Sequence, residues 1–216
     1  MVFSIFLKQE LRNNFRNSGL FAQNILFFII SCAIFLIISQ NGATQGQTQL
    51  INIILISLIF CLIFANGNFL QEDFRDGTLE QMIIFCPNLE IYIAAKIIAN
   101  WFVFALPVLL SIFPIMWLSG LETDVILDVF VLFFLASFSI NFICAFCASL
   151  GLSANKAPMI ALFVFPLIVP ILLIAISGLE SAQSYVFAIK FLIAMVIFCG
   201  AITLLATTKI VRIVSE

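Results

Sequence analysis

Six apolar stretches of about 20 residues or more follow one another along the chain, and they restrict it to one class of fold. They cover approximately residues 20–39, 50–70, 97–118, 125–150, 157–177 and 186–207. A helix of about 20 residues crosses the roughly 30 Å hydrocarbon layer of a bilayer. Only 9% of the residues are charged, and a soluble fold could not cover so much apolar surface. The sequence therefore predicts an all-α, polytopic membrane protein with six transmembrane helices in a single domain, residues 1–216.

Residues 1–19, which precede the first apolar stretch, have the pattern of an amphipathic helix lying in the membrane interface. Apolar residues recur at every fourth position, and basic residues repeat that spacing one residue later: Phe3, Leu7, Leu11 and Phe15, then Lys8, Arg12 and Arg16. Such a helix buries its apolar stripe among lipids and directs its cations toward anionic headgroups. A cleaved signal peptide is the alternative. It fits poorly, because polar residues interrupt this lead and a full-length apolar stretch follows it.

The basic residues predict the orientation of the chain in the membrane. All of the nine Lys and Arg residues except Lys190 fall in the N-terminal region, the second loop, the fourth loop or the C-terminal region. The connections 40–49, 119–124 and 178–185 contain neither residue type. Because cytoplasmic loops are enriched in Lys and Arg, we expect both termini and the second loop to lie in the cytoplasm.

The second loop carries a dense cluster of charge in its segment 71–90. It contains five acids and one base: Glu72, Asp73, Asp76, Glu80, Glu90 and Arg75. Asp76-Gly77 favours a turn, because glycine costs about 1 kcal/mol in a helix interior. Thr78 and Gln81 then match the N-cap and N3 positions of a capping box. The segment is therefore predicted to form a helix, a turn and a short second helix.

The predicted second helix has an acidic rim and an apolar side, the latter formed by Leu79, Met82, Ile83 and Phe85. An amphipathic helix of this kind can insert into a groove on a soluble partner. The alternative is a solvated loop whose acids merely remain outside the membrane. The spacing of the residues does not decide between these two interpretations.

The order of these features resembles the membrane subunits of ABC-2 type transporters. Those subunits combine an interfacial helix, six spans and an acidic cytoplasmic loop, here Asp76-Gly77-Thr78-Leu79-Glu80-Gln81 followed by Pro87 and Lys96. More narrowly, the chain is similar to the CcmB family of haem exporter permeases, which serve cytochrome c maturation. The motifs that carry this resemblance are Phe74-x-Asp76-Gly77, Ala95-Lys96 with Trp101, Leu106-Pro107, Phe165-Pro166-Leu167-x-x-Pro170 and Glu10-Leu11-Arg12-x-x-Phe15-Arg16.

The resemblance implies a non-catalytic permease of the bacterial inner membrane that works with a separate ATPase subunit (CcmA-like). In the family, two permeases and two ATPases assemble with a haem-handling membrane protein (CcmC-like), a small single-span subunit (CcmD-like) and a periplasmic haem chaperone (CcmE-like). ATP would bind only to the ATPase, and its hydrolysis would drive delivery of haem to the chaperone or its release. The residues implied to couple this chain to the ATPase are Glu72, Asp73, Phe74, Asp76, Gly77, Thr78, Leu79, Glu80 and Gln81.

Residues that could support other chemistry are few. Residues 151–156 lack the second glycine and the hydroxyl of a nucleotide-binding P-loop. The chain has no histidine, and no metal site is predicted. Met, Cys or Tyr could still ligate haem, but the spacing of the methionines singles out none of them, so no haem ligand is named. An ABC-2 permease for a lipid-linked glycan or a drug is one alternative. An intramembrane enzyme is a second alternative, which the absence of an intramembrane carboxylate pair disfavours. An ion channel is a third, but it would need polar or charged pore rings, which are scarce in this sequence. No nucleic acid partner is expected.

Four other positions within the apolar stretches admit a structural and a functional interpretation. Cys144 and Cys147 are interpreted as packing residues, the alternative being a redox or metal pair. Lys190 is interpreted as a residue whose charge reaches the interface, the alternative being attraction of an anionic group such as a haem propionate. Asn141 is predicted to form a hydrogen bond between helices rather than to contact a substrate.

Overall fold

The computed structural model describes residues 2–16, 18–38, 43–67, 69–85, 88–152 and 157–215, and every regular element in these ranges is helical. In chain order the helices are α1 (Val2–Arg16), α2 (Ser18–Ile38), α3 (Ala43–Asn66), α4 (Gln71–Arg75), α5 (Thr78–Phe85), α6 (Leu89–Asn100), α7 (Leu106–Leu118), α8 (Thr123–Leu150), α9 (Ala157–Ser177) and α10 (Ala182–Ser215). A π-helical segment, Trp101–Ala105, joins α6 to α7.

Four stretches in the described part of the chain are long and apolar enough to cross a membrane. They are Thr48–Arg75, Leu89–Leu118, Thr123–Leu150 and Ala182–Val214. Shorter apolar stretches, Phe21–Phe35 and Phe163–Ser177, lie within α2 and α9. The prediction of an all-α membrane protein is therefore confirmed, and four of the six predicted spans meet the length and composition expected of a crossing.

Helix α8 lies at the centre of the bundle, where it packs against α3, α7, α9 and α10. Small buried residues such as Ala136, Ser137, Ala145 and Ala148 allow these neighbours to approach its backbone closely. Short turns join α7 to α8 and α9 to α10, so these pairs are antiparallel. We call the end of the bundle that carries α4 and α5 the coupling end, and the end where α3, α8 and α10 begin the far end.

The third predicted span begins earlier than the sequence pattern indicates. The apolar pattern predicts a start near residue 97, whereas the helix runs continuously from Leu89 to Leu118. The polar side chains of Tyr92 and Lys96, which weaken the apolar pattern, are accommodated by polar partners inside the fold. Two residues named from the sequence, Pro87 and Lys156, lie outside the described residues. The structure therefore does not test the predictions made for them.

The π-helical segment has a cause in the sequence that follows it. Pro107 lies in the first turn of α7, where its ring would collide with the carbonyl four residues earlier and it cannot donate a hydrogen bond. A wider turn immediately before the proline relieves this conflict. The third span is thus distorted at a π segment. By contrast, α9 continues without a break across Pro166 and Pro170.

Helix α1 packs along α6, and the face that it buries differs from the predicted apolar stripe. Glu10 is buried and Phe6 makes an edge-on contact with Tyr92, with ring centroids 5.6 Å apart. Phe3 of the predicted stripe is exposed. The helix itself is confirmed. The side that contacts the rest of the protein is centred one position before the apolar repeat and carries Glu10, whose cationic partner lies on α6. The contact of the apolar stripe with lipid stays a prediction.

Candidate partner-docking site

The acidic segment between α3 and α6 forms two short helices joined by a tight turn. Helix α4 ends at Arg75, and Asp76 N–H donates to the Glu72 carbonyl at 2.9 Å. Gly77 follows with φ of +71°, a left-handed conformation that glycine adopts without steric cost. Helix α5 begins directly after it. The predicted order of helix, turn and second helix is confirmed.

The predicted capping box at the start of α5 is wrong. Thr78 is the first helical residue rather than the N-cap residue. Its hydroxyl donates to the Asp73 carbonyl at 3.0 Å, and Gln81 N–H donates to the Gly77 carbonyl at 3.3 Å. The left-handed glycine reverses the chain so sharply that Thr78 already lies over the end of α4, and its hydroxyl ties the two helices together.

The apolar side of α5 faces the protein and is not offered to a partner. The Leu79 side chain is 2% exposed, and Met82 and Ile83 are half-buried against the main core. The Phe85 side chain lies outside the described residues. Of the two interpretations, insertion of this side into a groove on a partner does not apply to the Leu79 side chain, since burial within the chain already removes it from water.

The opposite side of the segment presents acids around two exposed apolar residues. We call this the docking surface and define it as Glu72, Phe74, Asp76, Glu80, Gln81 and Ile84, all of which are exposed. Arg75 is an exposed cation in the same segment. Phe74 is 37% exposed and Ile84 is 76% exposed. Apolar side chains surrounded by charge are typical of protein interfaces, in which the apolar groups supply affinity and the charges supply orientation.

A buried ion cluster fixes the docking surface to the rest of the protein. We call it the lysine clamp and define it as Glu10, Asp73, Tyr92 and Lys96. Lys96 Nζ bonds Asp73 Oδ2 and lies 3.5 Å from Glu10 Oε2, and the Tyr92 hydroxyl donates to Asp73 Oδ2 at 2.7 Å. Asp73, which the sequence assigns to the partner-coupling set, therefore points inward and joins α4 to α1 and α6.

The lysine clamp holds two carboxylates against one ammonium group in a poorly hydrated place. The side chains of Lys96, Glu10 and Asp73 are 12%, 8% and 18% exposed. Burial raises the pKa of the Glu10 carboxyl, and the nearby Lys96 charge offsets part of that effect. A cleft of about 360 Å³ lies beside the clamp between α1 and α4. The contacts that join α4 to α6 are thus charged and are screened little by water.

One turn further along α6, three buried asparagines connect the helices that flank the docking surface. Asn100 Nδ2 donates to Asn66 Oδ1 at 3.1 Å, and Asn66 Nδ2 donates to Asn141 Oδ1 at 3.0 Å. Asn141 Nδ2 donates in turn to the Ile97 carbonyl at 3.2 Å. This asparagine network joins the last residue of α3 to α6 and α8. The predicted role of Asn141 in bonding between helices is confirmed.

The π-helical segment begins immediately after the asparagine network and is anchored to α8. Trp101 Nε1 donates to Ser137 Oγ at 3.0 Å, and the indole stacks on Phe138 with ring centroids 3.9 Å apart. Both contacts are to the central helix of the bundle. The clamp, the asparagine network and the Trp101 contacts therefore form a continuous series of polar and aromatic interactions from the docking surface toward the middle of α8.

The sequence assigns no role in the site to five residues of the lysine clamp and the asparagine network: Glu10, Tyr92, Lys96, Asn66 and Asn100. Glu10 and Lys96 appear only within the motifs that carry the family resemblance. Lys96 and Asn100 are four residues apart and share one side of α6, a spacing that could have indicated a polar face. Other positions named from the sequence lie elsewhere. Cys144 and Cys147 are buried, free thiols of α8, and Lys190 is exposed on α10.

Gly77 provides a test of the turn within the docking surface. A residue with a Cβ pays about 1–2 kcal/mol to adopt the left-handed conformation, although no neighbouring atom lies within 4 Å of the position that the Cβ would occupy. Gly77→Val is therefore expected to open the turn and raise the rate of tryptic cleavage after the exposed Arg75 by roughly tenfold. Gly77→Asn is expected to stay near the wild-type rate, because asparagine tolerates positive φ.

A matched control for that measurement is Gly120→Val. Gly120 has φ of +77°, and a Cβ there would likewise meet no atom within 4 Å, but it lies in the turn between α7 and α8 at the far end. Cleavage after Arg75 is expected to be unchanged in this variant. Equal cleavage rates in Gly77→Val and the wild type would show that the turn geometry does not control access to α4.

Comparison with known proteins identifies relatives over most of the chain. The model of the family described as CcmB protein matches residues 1–214. "Heme exporter protein B" of Pseudomonas aeruginosa is 24% identical over 182 residues, 84% of this chain and 82% of the relative. The protein of the same name from Haemophilus influenzae is 26% identical over 183 residues, 84% and 83% of the two chains. That from Escherichia coli K12 is 30% identical over 111 residues, 51% and 50% of the two chains.

Proposed function

Because the chain belongs to the CcmB protein family, we propose that it is the membrane-embedded permease of a haem-exporting ABC transporter in the bacterial inner membrane. The name of its relatives, "Heme exporter protein B", supports haem as the cargo over a lipid-linked glycan or a drug. The permease itself is non-catalytic, and ATP binds to and is hydrolysed by a partner. Membership of this family also disfavours the alternative of an intramembrane enzyme.

The docking surface is the part of this chain that the ATPase contacts. The observation that carries this assignment is the lysine clamp, which ties an exposed acidic surface to α6 through Asp73 and Lys96. A loop that merely stayed in water would not need a buried ion cluster of this kind, because desolvating three charged groups is costly. Motion of the ATPase is transmitted through α4 to α6, and then through the asparagine network to α3 and α8.

The transmembrane arrangement consists of six crossings with both termini in the cytoplasm. These crossings are formed by α2, α9 and the four long apolar stretches. α2 and α9 have 21 residues each, enough for roughly 30 Å of helix. The distribution of Lys and Arg supports the coupling end as the cytoplasmic end. Helix α1 lies along the cytoplasmic interface of the membrane. The chain forms a single domain over residues 1–216, and residues 71–90 are its coupling segment.

The complete transporter contains two copies of this chain and two ATPase subunits. It also contains a CcmC-like haem-handling membrane protein, a CcmD-like single-span subunit and a CcmE-like periplasmic chaperone to which haem is delivered or from which it is released. The family membership supports a multi-component complex. This chain contributes the docking surface and the membrane-spanning helices, and no residue of it is assigned as a haem ligand.

Glu80→Lys tests the docking surface directly. Glu80 is exposed and makes no contact in the lysine clamp, so the charge reversal leaves the fold intact while it opposes a partner complementary to an acidic surface. We expect co-purification of the ATPase to weaken by about tenfold, corresponding to about 1.4 kcal/mol. Covalent c-type haem staining in a deletion strain complemented with this variant is expected to fall accordingly.

The matched control is Glu122→Lys, the same charge reversal at an exposed position at the far end. It is expected to retain both the ATPase and the haem staining. Undiminished ATPase binding and staining in Glu80→Lys would contradict the assignment of the docking surface. Normal haem staining in the deletion strain itself would contradict haem as the cargo.

A further inference from the structure

A cavity of about 660 Å³ opens at the far end of the bundle, away from the docking surface. It lies among the N-terminal halves of α3, α8 and α10 and the last turn of α9. Its volume falls within the range of about 300–1,000 Å³ that is usual for small-molecule sites. The residues that give it chemical character are Asn52, Asp128, Glu180 and Tyr185.

These polar groups offer hydrogen-bond acceptors and negative charge. Asn52 Oδ1 is a buried atom without a hydrogen-bond partner, a state that costs about 1–3 kcal/mol unless a ligand or water satisfies it. Asp128 carries a carboxylate beside the Tyr185 phenol, and Glu180 adds a second carboxylate. Among the described residues that line the cavity, none is Lys or Arg. The cavity therefore favours a cationic group with N–H donors.

The walls of the cavity are apolar and continue onto the outside of the bundle. Ile51 is buried at its base, whereas Val125 of α8 and Val186 of α10 line it and are also exposed. In a membrane-embedded chain, exposed valines just inside the ends of two spans face acyl chains. The mouth of the cavity therefore extends from the level of the loops into the hydrocarbon layer.

We propose that this cavity binds an aminophospholipid, with phosphatidylethanolamine as the fitting chemistry. The headgroup ammonium donates to the Asp128 carboxylate and to Asn52 Oδ1, and an acyl chain lies over Val125 and Val186. A basic segment of a soluble partner would satisfy the carboxylates but not the apolar mouth. The acidic lining disfavours haem propionates and phosphatidylglycerol.

Close packing of α9 and α10 maintains the back of the cavity. Gly178 lines it, and a Cβ at this position would come within 2.6 Å of the Ala188 Cβ and 3.1 Å of the Leu132 Cδ1. Only glycine permits the end of α9 to approach α10 this closely. The cavity shape is therefore held by backbone contact on one side and stays open on the side of Val125 and Val186.

The experiment is native mass spectrometry of the purified full chain with added phosphatidylethanolamine, phosphatidylcholine or phosphatidylglycerol. Phosphatidylcholine carries the same headgroup charge as phosphatidylethanolamine but has no N–H donors. We expect phosphatidylethanolamine to bind about tenfold more tightly than either other lipid, the ratio typical of a charge-assisted hydrogen bond. Asp128→Asn is expected to lose this preference, and the matched control Asp124→Asn, an exposed acid outside the lining, is expected to keep it.

Asn52→Leu separates ligand binding from folding. Leucine has a similar shape and removes the unpartnered oxygen, so the variant is expected to unfold at a higher temperature than the wild type while losing most of its preference for phosphatidylethanolamine. Equal binding of phosphatidylethanolamine and phosphatidylcholine to the wild type would overturn the proposal. A second result would also overturn it: the wild type shows no lipid preference but binds a lysine-rich peptide that Asp128→Asn does not bind. That result would assign the cavity to a protein partner.

Discussion

Replacing Lys96 by methionine is expected to lower the free energy of unfolding by about 3–5 kcal/mol, the usual cost of removing one partner from a buried ion pair. The variant leaves the Glu10 and Asp73 carboxylates facing each other in a site where both side chains are largely shielded from water. Their repulsion, together with the loss of the Lys96 bonds, is expected to release α4 from α6. The stability of the fold is therefore expected to decrease, and so is the proposed coupling to the ATPase.

Denaturant unfolding of the detergent-purified chain, followed by tryptophan fluorescence, measures this effect, because Trp101 lies five residues beyond Lys96 on the same continuous helix. The matched control is Lys8→Met, since Lys8 is an exposed residue of α1, where surface substitutions usually change stability by less than about 0.5 kcal/mol. A further variant carries Lys96→Met with Glu10→Gln and Asp73→Asn. We expect this neutral set to recover most of the lost stability, since the unpaired charges are then absent. Equal midpoints for the Lys96 and Lys8 variants would contradict the lysine clamp.

Local sequence patterns predicted the form of the docking surface but not which of its sides is exposed. Gly77 marks the turn from α4 to α5 because only a few residues adopt positive φ readily, and this constraint is local. Leu79 shows that α5 has an apolar side, yet periodicity does not say whether the same chain or a partner covers that side. The answer depends on how far α5 lies from the core, which is a tertiary property.

The lysine clamp could not be predicted for a related reason. Glu10 is an acid within a helix whose other charges are basic, and that pattern favours a helix directed toward lipid headgroups. Its pairing with Lys96 joins residues that are far apart in the chain. Burial of the carboxylate becomes favourable only when α1 packs on α6, so no local rule identifies it.

The asparagine network divides in the same way between what sequence reveals and what it does not. Asn141 stands alone within a long apolar stretch, and a buried amide there needs a partner, so a bond between helices could be predicted. Asn66 and Asn100 lie near the ends of their apolar stretches, where an amide can equally reach water. Their burial follows from the packing of α3 and α6 against α8, which requires knowledge of the bundle.

Replacing Asn66 by leucine is expected to lower the free energy of unfolding by about 2 kcal/mol, since the variant leaves two buried groups without partners. Asn66 is fully buried, and its amide accepts from Asn100 Nδ2 and donates to Asn141 Oδ1. Bonds between helices in membranes contribute about 0.6 kcal/mol each on average, so most of the expected loss comes from the desolvated amides that remain. Stimulation of the ATPase by the permease is also expected to fall, because α3 and α6 lose their direct side-chain connection.

Asn52→Leu is the matched control, because it is the same substitution in the same helix with the opposite expected sign. Asn52 Oδ1 accepts no hydrogen bond from another described residue, so leucine at that position breaks no bond between helices and buries more apolar surface, whereas leucine at position 66 creates two unsatisfied groups. We therefore expect the unfolding midpoint to rise for the Asn52 variant and to fall for the Asn66 variant, with ATPase stimulation reduced only in the latter. If both variants shifted the midpoint in the same direction, the hydrophobicity of α3 rather than the asparagine network would determine its stability. The proposed transmission from α4 into the bundle would then have to rest on the lysine clamp alone.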